Sequence, residues 1–129
     1  MGTISVKSIS KLSDIHPDLR KLVLRAAEIY PYGELLVIEG RRTLAKQKEY
    51  FAAGKSKTMK SRHLTGHAVD LAPILDTDGD GDKELSWNMK HFHPINKAMQ
   101  QASNELKIPI EWGGLWKSFV DCPHFQLPW

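Results

Sequence analysis

The sequence predicts an α+β fold, in which a small, mainly antiparallel sheet is flanked by helices within a single domain. Segments with helical and extended patterns follow one another in the order helix, strand, helix, strand, helix, strand, strand. The strand segments are short and show no regular βαβ repeat, which disfavours a doubly wound parallel sheet. With 129 residues, of which 41% are hydrophobic and 26% are charged, the chain has the size and composition of one globular domain.

Two helices and a strand are predicted in the first half of the chain. Pro17 is suited to a first helical turn, and apolar residues recur at helical spacing from there to Ile29. The short apolar run at residues 34–39 predicts a strand. Thr43 is suited to cap a second helix, which we expect Gly54 to end.

The second half of the chain is predicted to contribute a longer helix and three strands. Residues 68–72 are apolar apart from one aspartate and predict a strand, and residues 108–112 and 125–127 predict two more. Residues 88–107 carry apolar side chains at helical spacing. Because proline disrupts a helix interior, this helix either begins near Pro94 or is kinked there.

Composition and charge exclude several classes of protein. The single cysteine, Cys122, cannot form an internal disulfide. No apolar run approaches the ~20 residues of a membrane-spanning helix, so stable membrane insertion is not expected. The net charge of +3 reflects either ordinary solubility or a modest preference for an anionic partner. Nucleic acid is not expected as a partner, since no basic stripe with interleaved aromatic residues is present.

Three potential metal ligands, His63, His67 and Asp70, lie close together in the sequence. On a helix His63 and His67 would share a face, as in the zinc-protease helix, but Leu64 occupies the position of the required glutamate. His63 and Asp70 converge instead if the chain turns between them, and Gly66 provides a place for that turn. Asp70 is the more informative residue, because a carboxylate among apolar neighbours is costly to bury unless it is paired or bound to a metal.

A third ligand is available near the end of the chain. His124 precedes an apolar strand and would complete a set of two histidines and one carboxylate with His63 and Asp70. Catalytic zinc keeps three protein ligands and an open fourth position. Asp121, three residues before His124, is placed to take a proton from water at that position and return it to a leaving amine.

Four motifs, in order along the chain, resemble those of a known enzyme family. The pattern Ser-x-His-x-x-Gly-x-Ala-x-Asp at residues 61–70 resembles the first zinc motif of the D-alanyl-D-alanine carboxypeptidase-type metallopeptidases, and Asp-x-x-His at residues 121–124 resembles the second. Gly-Arg-Arg-Thr at residues 40–43, followed by Gln47, resembles the arginine segment that precedes them. Residues 111–119 most resemble the branch found in phage endolysins that cleave L-alanyl-D-glutamate bonds.

This resemblance implies a role for individual residues. It implies that His63, Asp70 and His124 bind zinc at the sheet, and that Asp121 is the general base. Other branches of the family more often have glutamate at the position of Asp121, and aspartate fits the endolysin branch. Arg42 is implied to stabilise the carbonyl oxygen or to hold a substrate carboxylate, roles that a planar cation with several donors suits.

Further substrate contacts are expected around this site. Ser61 belongs to the first zinc motif and is a candidate, together with Arg42. Arg41 competes with Arg42 for the same role, unless it is a solvated charge. Trp112 and Trp116 either line a sugar- or peptide-binding cleft or pack in the core.

The acidic, glycine-bearing loop at residues 76–84 resembles a calcium loop. Alternating carboxylates and glycines suit a hard cation that takes several oxygen ligands. Gly81 stands where an EF-hand loop needs glycine, but Trp87 occupies the position of the final glutamate. The segment is either a solvated turn or a site at which calcium raises activity; the candidate ligands are Asp76, Asp78, Asp80, Asp82 and Glu84.

Together these features predict a zinc-dependent peptidoglycan endopeptidase that cleaves the L-alanyl-D-glutamate bond of stem peptides and lyses the host cell wall at the end of phage infection. The alternatives are a D,D-carboxypeptidase or dipeptidase on the same scaffold, or a non-catalytic, zinc-stabilised module that binds the wall. We expect residues 1–129 to form a monomeric catalytic domain with no separate wall-binding domain. Residues 1–12 lack the apolar segment of a signal peptide, so we expect storage in the host cytoplasm until a separate pore releases the protein to the wall.

Overall fold

A mixed sheet and three helices make up the part of the chain that the computed structural model describes, which comprises residues 3–4, 11–54, 61–75, 84–86, 88–116 and 120–128. The helices are α1 (Pro17–Ile29), α2 (Leu44–Ala52) and α3 (His93–Leu106). The strands are β1 (Thr3–Ile4), β2 (Glu34–Glu39), β3 (Ala68–Leu75), β4 (Glu84–Leu85), β5 (Glu111–Trp112) and β6 (His124–Gln126). The predicted α+β class is therefore confirmed.

The sheet is mainly antiparallel, as the sequence predicts. Its strands lie in the order β1-β2-β3-β6-β5, and β4 pairs with the far end of β3. All of these pairs are antiparallel except β1 with β2, which is parallel. The register places Glu39 opposite Asp70 and Asp70 opposite His124, so three polar side chains meet on three neighbouring strands.

A bulge in β2 is responsible for one of these pairings. The register between β2 and β3 shifts between Val37 and Glu39, where two residues of β2 oppose one residue of β3. Val37 faces the core, and in a regular strand Glu39, two residues later, would face the core too. The bulge instead turns Glu39 toward Asp70, which illustrates how bulges reorient side chains beside functional sites.

The core lies between the sheet and helices α1 and α3. Alternate residues of the central strands, such as Val69 and Phe125, join the buried apolar faces of both helices in one cluster. Arg25 of α1 also pairs with Glu105 of α3 at 2.9 Å on the surface. Because Asp70 and His124 alternate with core residues along their strands, they lie on the opposite face of the sheet. The core thus packs against one face of the sheet, and the candidate site lies on the opposite face.

The predicted helices agree closely with the structure. His16 and Thr43 cap α1 and α2, each accepting a hydrogen bond of 3.1 Å from a first-turn N–H. Helix α3 begins at His93 with Pro94 in its first turn, so the alternative of a kinked helix is wrong. No helix in the described ranges is long and apolar enough to cross a membrane.

The strand predictions need several corrections. The strand predicted at residues 108–112 is confined to Glu111–Trp112, and the last strand begins one residue earlier than predicted, at His124. Residues 84–85 pair with β3 although the sequence predicts a loop up to residue 84. Strand β1 was not predicted, because two residues carry no readable period of hydrophobicity.

Candidate metal centre and active site

His63 reaches Asp70 because the chain turns tightly between them. Residues Arg62–Thr65 form a 3₁₀ turn that Ser61 caps, and Gly66 follows in the left-handed conformation with φ of 77°. A side chain at Gly66 would also meet the backbone oxygen of Asp14 at 2.8 Å, so this position requires glycine twice over. The turn returns His63 to the start of β3, with its Nε2 atom 3.2 Å from Oδ1 of Asp70.

His124 approaches the same carboxylate oxygen from the neighbouring strand. Its Nδ1 atom lies 3.3 Å from Oδ1 of Asp70. The two imidazole nitrogens and the carboxylate oxygen lie within 4.8 Å of one another, as in a group that could hold a metal ion. The spacing that predicts His63, Asp70 and His124 as a set therefore corresponds to a real cluster, and His67 lies outside it.

The outward nitrogen of each imidazole is fixed by the protein. Nδ1 of His63 lies 2.8 Å from the carbonyl oxygen of Gly40, to which it donates. Nε2 of His124 lies 2.8 Å from Oε1 of Gln126, and the Gln126 amide is oriented by its own donation to Glu111 at 3.0 Å. Carbonyl and amide oxygens accept only, so both outward nitrogens carry hydrogen.

This pattern tests whether the cluster suits a metal. When both imidazoles are neutral, His63 and His124 direct lone pairs at Asp70, whose ionised carboxylate also only accepts. Three acceptors that face one another are stabilised by a shared cation. The hydrogen bonds from the outward nitrogens are the second layer of contacts that metal-binding histidines usually have. The donor set therefore fits a metal such as zinc.

The electrostatics of the metal-free cluster reflect this crowding. Burial acts to raise the pKa of Asp70, but its hydrogen bonds with His124 and His63 and their charges outweigh burial and hold that pKa well below its ordinary value. Burial acts to lower the pKa of His124, but the contacts with Asp70 and Gln126 outweigh it and raise that pKa. Without a metal, protons therefore compensate the negative charge of Asp70 at low pH.

Asp121 lies at the edge of the cluster, half-buried, with Oδ2 3.9 Å from Nδ1 of His124. A tight turn holds it there: its N–H donates to Gly113 at 3.0 Å and its carbonyl accepts from His124 at 3.1 Å. A Cβ at Gly113 would lie 2.5 Å from the backbone oxygen of Asp121, so only glycine permits this approach. Burial, and then the negative charge of Asp70, raise the pKa of Asp121.

Arg42 is buried beside the cluster and is firmly held. Its Nε and Nη2 atoms donate to one carboxylate oxygen of Glu39, and Nη1 donates to Gln47 at 2.6 Å. The guanidinium also lies 4.7 Å from the centre of the Tyr50 ring. Its backbone N–H donates to the carbonyl of His63 at 2.8 Å, which joins the arginine segment to the first zinc motif.

Glu39 and Gln47 are site residues for which sequence reasoning assigned no role. Gln47 is fully buried although it is polar, and its partner is the Arg42 guanidinium. A polar residue on the inward side of a helix that contributes no other buried side chain is the signal that could have found it. Glu39 gives no such signal, because its orientation depends on the bulge.

The remaining candidates have different environments. The Ser61 hydroxyl accepts from the N–H of His63 at 3.2 Å and so supports the turn. Trp112 is buried in the core with only 3% of its surface exposed, and its indole N–H donates to Cys122 at 2.6 Å. Trp116 is the aromatic residue that faces the cluster, with its ring centre 5.0 Å from that of His124.

The predicted calcium ligands Asp76, Asp78, Asp80 and Asp82 lie outside the described residues. Only the backbone of Glu84 is described, as part of β4. Arg41, the competitor of Arg42, is exposed and donates through Nε to Leu64 at 3.3 Å.

Comparison with known proteins identifies the family. A model described as phage L-alanyl-D-glutamate peptidase matches residues 2–126, nearly the whole chain. The chain belongs to the phage L-alanyl-D-glutamate peptidase family. It is therefore a peptidase, and its matched range includes both predicted zinc motifs.

Similar proteins extend from phages to bacteria. The L-alanyl-D-glutamate peptidase of Escherichia phage T5 is 33% identical over 118 residues, which cover 88% of this chain and 81% of that protein. The peptidase of the same name from Listeria phage A118 is 30% identical, but the match covers 95% of this chain and only 40% of that protein. The peptidoglycan L-alanyl-D-glutamate endopeptidase CwlK of Bacillus subtilis is 27% identical, and the match covers 89% of this chain and 74% of that protein.

A crystal structure supports the fold as well as the family. The L-Ala D-Glu endopeptidase ChiX of Serratia marcescens superposes with a TM-score of 0.82 at 38% sequence identity. The superposition covers 95% of this chain and 86% of that one. These names favour the predicted endopeptidase over the carboxypeptidase and wall-binding alternatives.

Proposed function

We propose that this family member hydrolyses the L-alanyl-D-glutamate bond of peptidoglycan stem peptides with a zinc ion held by His63, Asp70 and His124. One observation carries the proposal. Two imidazole nitrogens and a carboxylate oxygen converge, while the outward nitrogen of each imidazole is committed to a protein oxygen. Imidazole and carboxylate ligands suit zinc, and three protein ligands are the usual number at a catalytic zinc site. When bound, zinc polarises the scissile carbonyl and makes water acidic enough to attack it near neutral pH.

In this proposal Asp121 moves the proton. Its Oδ2 atom accepts a proton from the attacking water and returns it to the amine of D-glutamate as the peptide bond breaks. A raised pKa suits this role, because an acid–base group works best when its pKa approaches the operating pH. The turn fixed by Gly113 keeps the shorter aspartate side chain near the cluster where other branches have glutamate.

Arg42 is proposed to bind the carbonyl oxygen or a substrate carboxylate. A guanidinium has five N–H donors, of which the contacts with Glu39 and Gln47 engage three. The two remaining donors, one on each terminal nitrogen, are available to substrate. Because Glu39 and Gln47 fix the plane of the guanidinium, it needs little reorganisation when negative charge develops.

Ser61 and Trp112 complete the proposed substrate site in supporting positions. Ser61 holds the turn that carries His63, and its hydroxyl retains a hydrogen to donate to substrate. Trp112 supports the turn that begins at Asp121, because its indole N–H donates to the carbonyl oxygen of Cys122. Trp116, beside His124, is the aromatic surface nearest to the cluster among the described residues.

Calcium binding to the acidic segment is proposed as a regulatory addition. The support is its sequence, in which Asp76, Asp78, Asp80 and Asp82 repel one another unless a cation compensates them. Calcium is expected to raise activity at fixed zinc. Identical turnover in calcium-buffered and calcium-depleted assays would remove this part of the proposal.

The biological setting follows from the substrate. The proposed partner is the stem peptide of the wall, and the proposed role is lysis of the host at the end of phage infection. We propose that the protein acts as a monomeric catalytic domain. It is held in the host cytoplasm until a separate membrane pore releases it to the wall.

A soluble stem peptide tests the chemistry directly. We expect cleavage between L-alanine and D-glutamate, loss of cleavage on removing zinc with a chelator, and recovery on adding zinc back. Asp121→Asn is expected to abolish cleavage while zinc still binds. His67→Asn is the matched control, because His67 lies near the motif but outside the cluster and is expected to keep activity. Wild-type protein that binds zinc and leaves the peptide intact would contradict the proposal.

A further inference from the structure

Helix α2 is the least buried of the three described helices. Of its nine residues only Gln47 is buried, whereas α1 buries five side chains and α3 buries four. An isolated helix of this length is marginal in water. Packing against the core therefore does not explain which residue types occupy the exposed positions of α2.

The helix is nevertheless fixed to the candidate site. Gln47 and Tyr50 of this helix hold the Arg42 guanidinium. Nη1 of Arg42 donates to the side-chain oxygen of Gln47 at 2.6 Å, and the guanidinium lies 4.7 Å from the centre of the Tyr50 ring. The backbone N–H of Arg42 in turn donates to His63 at 2.8 Å. A molecule bound to the outer side of α2 would thus lie at a fixed distance from the proposed zinc ligands.

The outer side of α2 presents large apolar and cationic side chains together. Leu44 and Phe51 are 55% and 47% exposed, and Lys48 is exposed between them. At 100° per residue, positions i, i+4 and i+7 fall within an arc of about 60°. Exposed Arg41 lies just before the helix and lines a surface groove with Leu44, Leu64 and one carboxylate, Asp14.

Charge is also concentrated here. The described residues 41–54 contain four lysines and arginines and one acidic residue, Glu49, although the whole chain carries a net charge of only +3. Glu49 forms a weak, exposed ion pair with Lys46 at 4.0 Å. Its carboxylate therefore does not neutralise the charges of Lys48 and Arg41. Local positive potential attracts an anionic partner even when the net charge of a protein is small.

We propose that the face formed by Arg41, Leu44, Lys48 and Phe51, called the α2 face, docks the peptidoglycan polymer outside the bond that is cut. This inference rests on the proposed function. D-Glutamate within a stem peptide keeps one carboxylate free, so neighbouring stems present an array of anions to Arg41 and Lys48. The apolar side chains suit the C–H faces of the sugar rings. Several weak contacts with one polymer raise the local concentration of further stems at the active site.

A lipid surface fits the α2 face less well. Helices that lie in a membrane interface separate a broad apolar face from a charged one. In α2 the cationic Lys48 instead stands between Leu44 and Phe51, and only these two large apolar side chains point outward. The interleaved pattern suits a polymer that carries both charges and sugar rings.

Binding to purified peptidoglycan sacculi tests the docking surface separately from catalysis. In an Asp121→Asn background, which leaves the polymer intact, we expect Lys48→Glu with Phe51→Ser to lower sacculus binding by about fivefold or more at low salt, since one exposed charge contact alone accounts for about fivefold. Lys21→Glu makes the same charge change on α1, which contributes no residue to the α2 face, and is expected to bind like the parent. Circular dichroism verifies that all variants are folded.

A second readout uses the active enzyme. The ratio of cleavage on sacculi to cleavage on a soluble stem peptide should fall by about fivefold in the Lys48→Glu, Phe51→Ser variant and stay constant in Lys21→Glu. Equal sacculus binding by the two variants would overturn the inference, as would tighter binding to phosphatidylglycerol vesicles than to sacculi. A wild-type enzyme that cleaves neither substrate would contradict the proposed function and leave the binding result to decide the docking surface.

Discussion

Replacing Asp70 by asparagine separates metal binding from the stability of the metal-free fold. When both imidazoles are neutral, their inward nitrogens direct lone pairs at Oδ1 of Asp70, over 3.2 and 3.3 Å. An asparagine nitrogen at that place carries two hydrogens, one for each lone pair. We therefore expect Asp70→Asn to keep the free energy of unfolding of the metal-free protein within about 1 kcal/mol of wild type, or to raise it.

Zinc should produce a large difference between the same two proteins. A ligand at about 100 times its Kd stabilises the native state by ~2.7 kcal/mol, and a ligand at about its Kd by ~0.4 kcal/mol. Loss of an outer partner of a metal ligand typically weakens binding by ~10–100-fold, so loss of a charged ligand itself should weaken it by ~100-fold or more. At equal free zinc the variant therefore gains about 2.3 kcal/mol less than wild type, which corresponds to a Tm difference of about 7–11 °C.

Thermal unfolding followed by circular dichroism measures both quantities, with chelator in one series and buffered zinc in the other. His67→Asn is the control, because its imidazole contacts Thr65 at 2.8 Å and does not belong to the cluster. A loss of ~3–5 kcal/mol in metal-free Asp70→Asn would refute the reasoning. That loss is the cost of breaking a buried ion pair, and would mean that protonated histidines hold the cluster together.

Three further outcomes are expected. Asp121→Asn should lower kcat by ~10²–10⁴ without changing the zinc content measured by atomic absorption, since it removes only the acid–base group. Gly113→Ala should destabilise the fold by ~1–3 kcal/mol in urea unfolding, because its Cβ would lie 2.5 Å from a backbone oxygen; an unchanged midpoint would contradict this. In the metal-free protein the pKa of His124 is raised, so its pairing with Asp70 stabilises the fold fully below pH 6.5. This stabilisation is lost as the pH rises through the raised pKa. Urea midpoints that do not fall over this range would contradict the assignment.

The helices and the convergence of His63 with Asp70 are predictable from the sequence for a physical reason. Pro17, Thr43 and Pro94 are local signals that begin helices, and each depends only on neighbouring residues. The turn at Gly66 is local as well, so the convergence of His63 with Asp70 was readable from spacing. His124 is a candidate third ligand from its residue type and its place before a strand, but no local pattern shows that this distant strand lies beside β3.

Other features depend on contacts that a single sequence does not reveal. The bulge before Glu39 changes which side chain of β2 faces Asp70, and an alternating pattern alone predicts the wrong face. The partners of Arg42 follow from that bulge and from the packing of α2. The burial of Trp112 was left open, because a tryptophan beside a strand suits a cleft and a core equally well until the neighbouring strand is known.

Mass spectrometry of purified peptidoglycan after digestion tests the central claim most directly. The account predicts zinc-dependent release of peptides with a new amino-terminal D-glutamate, leaving L-alanine at the end of the glycan-linked remnant. Stems that stay intact in the presence of zinc, or that lose only a terminal D-alanine, would contradict it.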